Sequence, residues 1–296
     1  MKTLARLSIA TIAVAFGEVM LGSWTRINGA GMSCPDYPLC RGRFIPNFTG
    51  GTIWEWTHRT FAIILCALVL ALLASGWRRR KDASFVAPLT IVIAVLFGGQ
   101  IALGALTVRL ANMPGSVVWH WGMAMVFAAS LAAMAIFCSA RSARMHSAAL
   151  PVILAATALV AFATMCIGAY VSSSGAGLAC ITLPGCAGNV VVYGSGQYVQ
   201  MLHRFAAALC LLSAVVATVL SWMWQGSVQV RRAATLGLAF VFLQILLGLL
   251  NVAFRLPMQL REAHAANAAL VFLSFVCAAA FAVLPERQGA QAPSVR

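Results

Sequence analysis

Four of the five histidines follow a pattern that could hold a metal-containing cofactor: His58, His120, His203 and His264. Each lies about four to six residues inside one end of a long apolar run, roughly 6–9 Å deep if the run is a helix. Neutral imidazole is a good axial ligand for heme iron, and two imidazoles at one depth on facing helices could bind it from both sides. The alternative is that they hydrogen-bond across helices. Zinc is disfavoured because two histidines leave it short of ligands.

An internal repeat divides these histidines into two matching sets. The matched positions are Cys34 with Cys180, Cys40 with Cys186, His58 with His203, Gln100 with Gln244, Gly104 with Gly248, and His120 with His264. The offsets are 144 to 146 residues, and the order is the same in both halves. A duplicated set of histidines favours two heme sites over four unrelated polar residues.

The two copies differ in an acidic residue beside the histidine. Glu55 lies three residues before His58 and shares its helix face, whereas the matching position holds Gln200. A membrane-embedded acid is costly and is a candidate functional group, although a helix N-terminus would also favour an interfacial acid. We expect Glu55 to face whatever His58 holds, so that one half does chemistry and the other stores or relays electrons. Glu18, whose repeat partner is Thr164, is expected to form an interhelical hydrogen bond, with a proton path as the alternative.

Two cysteine pairs lie in the long loops between apolar runs. Cys34 and Cys40 are separated by five residues, as are Cys180 and Cys186. Pairs this close form disulfides outside the cytoplasm, and we expect both to do so. Metal binding is the alternative, but no nearby loop histidine completes a ligand set, and the spacing is not the usual one for zinc.

The composition indicates that this chain has lipid as its main solvent. Of its 296 residues, 62% are hydrophobic and 9% are charged; a soluble protein is usually about a quarter charged. The net charge of +14 does not indicate nucleic-acid binding, because the basic residues separate apolar runs and do not line one face. The densest basic cluster, Arg78–Lys81, is expected to contact membrane lipid.

Eight apolar runs are each long enough to cross about 30 Å of hydrocarbon as a helix. They lie near Arg6–Trp24, Trp54–Trp77, Phe85–Val108, Ser116–Ser139, Ala149–Ser172, Gln197–Trp224, Ala233–Phe254 and Gln259–Leu284. Four spans per copy give both copies the same orientation. We predict an all-α integral membrane protein of two tandem four-helix bundles, related by a pseudo-twofold axis along the membrane normal. The bundles would comprise residues 1–140 and 149–296, joined by a cytoplasmic linker over 141–148.

The distribution of lysine and arginine predicts the orientation. Twelve of the twenty lie on the side of the two termini, and eight lie on the other side. Cytoplasmic loops carry the excess of positive charge, so we expect both termini in the cytoplasm and both cysteine loops on the outer side. The expected location is the inner (plasma) membrane of a bacterium.

Taken together, these residues resemble the heme A synthases of aerobic respiratory chains, over nearly the whole chain. The matching segments are Thr25-Arg26, Gly29 to Cys40, Glu55-x-x-His58-Arg59, Gly98-Gly99-Gln100 through Gly104, and His120, with echoes in Ser174 to Leu178 and His203-Arg204. The combination is specific, although no single segment is. Glu18 has no counterpart in the family pattern.

The resemblance implies an enzyme that oxidises a ring methyl of heme O to the formyl group of heme A through an alcohol intermediate. It implies that His58 and His120 flank the substrate in the first bundle, with Glu55 as the catalytic acid or base. His203 and His264 would ligate heme b in the second bundle. The Cys34–Cys40 pair resembles a loop disulfide found in part of the family. Arg26, Arg59, Arg204 and Gln100 are candidate supporting residues.

Two other functions compete with a heme-modifying oxidoreductase. A diheme b-type electron carrier would need the same histidines, but it gives no reason for an acid in one half only. A transporter would place its polar residues near the midplane, whereas these histidines lie near the outer surface. The candidate partners are heme O synthase, an unidentified electron acceptor and, in a homo-oligomer, a second copy of this chain.

Overall fold

The computed structural model describes residues 1–284 except Tyr37, 140–146, Ala187, Val191, Tyr193 and Gln225. The secondary structure assigned within these residues is helical, with two isolated β-bridges. The long helices are α1 Lys2–Ile27, α2 Thr52–Arg78, α3 Val86–Arg109, α4 Pro114–Ser139, α5 Ala149–Ser173, α6 Ser195–Met223, α7 Val228–Ala253 and α8 Met258–Ala282. Most of the predicted linker over 141–148 lies outside the described residues, as does the tail from residue 285 onward.

All eight helices are long and apolar enough to cross a membrane, which confirms the predicted spans. Many of their large apolar side chains are exposed, including Ile63 and Phe205, at 71% and 69%. In water such surfaces would be aggregation sites, whereas in a bilayer they face lipid tails. Backbone hydrogen bonds are satisfied within each helix, as hydrocarbon requires.

The helices pack in the same way in both halves of the chain. Helix α1 packs on α2 and α4, and α3 also contacts both, which closes a ring of four. Helices α5 to α8 form an equivalent ring. Between the halves, α4 contacts α5 and α8, and α1 contacts α8. Exchanging the halves leaves this pattern of neighbours unchanged. The pseudo-twofold axis stays a prediction that this pattern favours.

Two apolar cores stabilise the arrangement. One joins α1 to α4 around side chains such as Leu72, Ile93 and Leu131. The other involves α5 to α8 together with part of α4, and Phe275 is its largest fully buried side chain. Helix α4 contributes to both cores, which is why it is the most buried of the eight helices.

Both predicted disulfides are formed in the loops that follow α1 and α5. Cys34 is bonded to Cys40, and Cys180 to Cys186. Each loop closes with an antiparallel β-bridge, from Cys40 to Arg43 and from Cys186 to Asn189. The two loops therefore have the same covalent and hydrogen-bonded design.

A glycine begins the turn into each of these loops. Gly29 and Gly175 have φ angles of 70° and 74°, in the left-handed region that glycine enters without steric cost. Further along the first loop, the N–H of Gly42 and then that of Arg41 donate to the Asp36 carboxylate, which holds the pKa of that group below its usual range. Repeated turn chemistry thus fixes where each loop leaves its helix.

Candidate functional site

The four histidines lie on the even-numbered helices, at opposite corners of the two rings. His58 is on α2 and His120 on α4, while His203 is on α6 and His264 on α8. Three of them are six residues inside the start of their helix, whereas His203 is eight residues inside because α6 begins at Ser195. All four are half-buried. His58 and His120 therefore lie equally far from their helix starts, whereas His203 and His264 differ by two residues. The matched depth of each pair stays a prediction.

Each histidine ring rests against a glycine of the preceding helix. A methyl group at Gly22 or Gly168 would lie 2.8 Å from Cε1 of His58 or His203, respectively. A methyl group at Gly104 would lie 3.1 Å from Cε1 of His120, and one at Gly248 would lie 3.3 Å from Cε1 of His264. Because glycine has no side chain, each histidine ring can lie directly against the backbone of the preceding helix. Sequence reasoning matched Gly104 with Gly248 but missed Gly22 and Gly168, although they share the repeat offset of 146.

The second pair of histidines has the spacing that a six-coordinate iron requires. The ring centroids of His203 and His264 are 6.4 Å apart, with the ring planes at 72°. A metal–imidazole bond is about 2 Å long, and a ring centre lies about 1 Å behind its nitrogen, so two imidazoles on opposite sides of one metal have centroids about 6 Å apart. The two residues therefore fit a bis-histidine heme.

The first pair of histidines carries an additional acid. Nδ1 of His58 is 3.0 Å from Oε1 of Glu18 on α1, although the two groups are not aligned as a linear hydrogen bond. His120 lies on α4, across the ring of helices from α2. The sequence predicted an interhelical hydrogen bond of Glu18; the structure shows an interhelical contact at ion-pair distance without hydrogen-bond geometry, and it identifies His58 as the partner.

Glu55 is bound to the disulfide loop. Its Oε2 accepts hydrogen bonds from the Cys34 backbone N–H at 2.8 Å and the Ser33 hydroxyl at 3.0 Å. Its Oε1 is 2.7 Å from an Arg59 nitrogen in an almost fully buried ion pair. The sequence predicted a carboxylate facing whatever His58 holds, whereas the structure turns it toward the loop backbone. The reason is that the loop folds back over the start of α2 and offers two donors there, while Arg59 of α2 itself supplies a third.

Gln200 binds the corresponding disulfide loop in the second half. Its side-chain oxygen accepts from the Cys180 backbone N–H at 2.5 Å, and its amide nitrogen donates to the Gly177 carbonyl at 2.9 Å. A neutral amide therefore suffices to anchor this type of loop. Loop anchoring does not by itself require the negative charge of Glu55.

The candidate arginines Arg59 and Arg204 complete the two loop anchors. Arg59 donates to the backbone carbonyls of Asp36 and Leu39, and it binds the Cys34 carbonyl at 2.7 Å. Arg204 binds the Cys180 carbonyl at 2.6 Å and further loop carbonyls. Each arginine follows its histidine directly, so the loop is fixed to the helix turn that carries the histidine.

The other two candidate supporting residues lie elsewhere. Arg26 donates to the Ser172 hydroxyl at 3.1 Å and so connects α1 with α5. Gln100 has a buried side-chain oxygen with no hydrogen-bond partner among the residues that the structure describes. Its counterpart Gln244 donates to the His264 carbonyl at 3.0 Å and accepts from Asn267 at 2.7 Å.

Sequence reasoning also missed Glu262, a half-buried acid two residues before His264. Its carboxylate lies near Ser23 and Arg26, where α1 meets α8. An acid in an apolar run was a visible signal, but position 118 of the first copy is valine, so the repeat did not point to it. Between the two halves there is thus a small polar contact zone.

Comparison with known proteins agrees with this geometry. The model of the family COX15-CtaA, described as cytochrome oxidase assembly protein, matches residues 5–276. Heme A synthase of Bacillus pumilus is 30% identical over 230 residues, which cover 71% of this chain and 72% of that protein. Heme A synthase of Shewanella oneidensis is 28% identical, with 90% of this chain and 92% of that protein covered. The chain belongs to the COX15-CtaA family of cytochrome oxidase assembly proteins.

Proposed function

We propose that this protein is a heme A synthase, an enzyme that oxidises the ring methyl of heme O to a formyl group through an alcohol. One observation carries the proposal. The two histidine sites are built alike, but only the first has acidic residues at two matching positions. Glu18 and Glu55 belong to the first site, and their counterparts Thr164 and Gln200 are neutral. Family membership and relatives named heme A synthase support the same activity.

In this proposal the first ring of helices, within residues 1–140, binds the substrate. His58 and His120 flank heme O from opposite corners of the ring. Glu55 accepts a proton as the methyl carbon is oxidised, or it orients the incoming water. A carboxylate has about four acceptor positions, and the three donors described above leave room for a further proton or a water molecule.

The second ring, within residues 149–296, holds heme b between His203 and His264. Heme b supplies one-electron transfer, which would carry electrons from the oxidised substrate toward an acceptor. Gly168 and Gly248 set how closely the two imidazoles approach the backbone. The 6.4 Å between the ring centroids supports this assignment.

The proposed orientation has both termini in the cytoplasm and both disulfide loops on the periplasmic side of a bacterial inner membrane. The excess of lysine and arginine beside the termini supports it, and so do two disulfides, which persist in oxidising compartments. The substrate would enter from the membrane, and the product would serve terminal oxidase assembly. Docking to heme O synthase would shorten the path by which heme O reaches this protein.

Enlarging a glycine beneath a ligand histidine tests the heme b assignment. We expect Gly168→Ala to displace His203, since the added methyl would lie 2.8 Å from its ring. Overpacking costs about 1–3 kcal/mol, which is roughly 5- to 150-fold in heme affinity. Heme b per protein, measured by pyridine hemochrome, should fall accordingly. Gly17→Ala is the matched control because nothing lies within 4 Å of that position; equal heme loss in both variants would contradict the assignment.

The activity itself is tested in a host that makes heme O but no heme A. Chromatography of acid-acetone heme extracts should show heme A or its alcohol precursor when the protein is expressed. Heme b alone, despite abundant heme O, would refute the synthase. That outcome would favour a diheme b-type electron carrier, which the His203–His264 spacing also fits.

A further inference from the structure

Glu18 lies where the first histidine site departs most from the second. Glu18 and Gly22 are one turn apart on α1 and share a face. Gly22 admits the ring of His58, and the Glu18 carboxylate meets Nδ1 of that ring at 3.0 Å. The Glu18 side chain is 10% exposed, so this contact is made away from bulk water.

The matching residue of the second half makes a different contact. The Thr164 hydroxyl binds the backbone carbonyls of Val160 and Ala206, at 2.8 and 3.1 Å. The ring of His203 lies near the backbone of Thr164, and that of His264 lies near the backbone of Gln244. Neither Nδ1 has a hydrogen-bond partner among the described residues. The second site therefore has a neutral threonine at the position that matches Glu18, whereas His58 has a carboxylate 3.0 Å from its Nδ1.

A partner on one imidazole nitrogen determines what the other nitrogen does. A carboxylate on Nδ1 fixes the tautomer and the ring orientation, so that Nε2 is presented as the ligand atom. It also makes the imidazole a more basic ligand than a backbone carbonyl does. A more basic axial ligand stabilises ferric over ferrous iron.

We propose that Glu18 is a positioning residue of the substrate site: it orients His58 and strengthens it as an electron donor to the bound heme. This inference rests on the proposed function, because it takes heme O as the ligand of His58. Under this proposal the irons bound at the two sites would differ in reduction potential. The first would favour oxidised iron more strongly than the second, which suits a site where a substrate loses electrons.

The test is a titration of the purified full-length protein with hemin. The low-spin ferric spectrum and the midpoint potential are followed, and the first-site signal is the one lost in His58→Ala. Glu18→Gln and Glu18→Thr should bind hemin at that site roughly tenfold more weakly. The midpoint potential there should become more positive, while the second-site signal stays unchanged. Thr164→Val, at the matching position, should leave the first-site signal as in the wild type.

Unchanged affinity and potential at the first site in both Glu18 variants would overturn the proposal and leave Glu18 as an interhelical contact only. Glu18→Thr guards against misfolding, because threonine occupies the matching position of α5. An intact second-site spectrum reports the fold of each variant. The titration needs no turnover, so its result is distinct from the heme extraction that tests the synthase.

Discussion

Replacing His203 with alanine should remove heme b from the protein. The variant loses one of two imidazoles whose rings are 6.4 Å apart. The remaining His264 cannot hold a six-coordinate low-spin iron alone. The loss should exceed the roughly 10- to 100-fold that removal of a partner of a metal-bound histidine costs. Pyridine hemochrome and the reduced-minus-oxidised spectrum measure it.

Two controls make this result specific. Leu202→Ala changes the neighbouring side chain, which is 40% exposed, and should retain heme b. His203→Gly with added imidazole should recover part of the low-spin spectrum, because the free ligand occupies the space that the side chain left. Full heme b content in His203→Ala would exclude this histidine as a ligand.

Replacing Glu55 with glutamine should abolish most conversion of heme O. The change installs the residue found at the matching position, where Gln200 anchors the Cys180 loop. The loop should therefore stay in place while the negative charge is lost. A positioned acid or base contributes roughly 100- to 10,000-fold to a rate, and heme A formation should fall within that range. Chromatography of extracted hemes measures it.

Heme b content should be unchanged in Glu55→Gln, since the second site lies on other helices. Asp36→Asn removes an acid of the loop that Glu55 anchors and should leave conversion close to that of the wild type. Wild-type yields of heme A in Glu55→Gln would reduce Glu55 to a loop anchor. The structure makes that distinction necessary, because two donors of the loop and Arg59 of α2 already bind this carboxylate.

The membrane fold could be predicted because it depends on local properties of the sequence. Run length and apolar content identify spans, and the eight predicted runs correspond to α1 through α8. The repeat further indicated which histidines belong together. Helix ends were less accurate, as at α6, because the polar residues of a first turn lie in the interface and carry no hydropathy signal.

The side-chain contacts of the site could not be predicted because they depend on neighbouring helices. Helical spacing placed Glu55 on the face of His58, but rotamer choice and the folded-back loop decided where the carboxylate points. The partner of Glu18 on α2 has no sequence signal either. The role of Gly22 depends on the His58 ring of the neighbouring helix, which packs against it.

The contact between Arg26 and Ser172 has a consequence for how such a protein could arise. The two positions are 146 residues apart, the offset that also relates the two cysteine loops, so each meets its own duplicate. If each half were a separate chain and two identical copies formed a dimer, the two matching positions would carry the same residue. Two guanidinium groups or two hydroxyls would then meet at this contact. Gene fusion frees the copies to differ here, and one arginine can then bind one serine. The same freedom would allow the proposed division of roles, in which one half does chemistry and the other relays electrons.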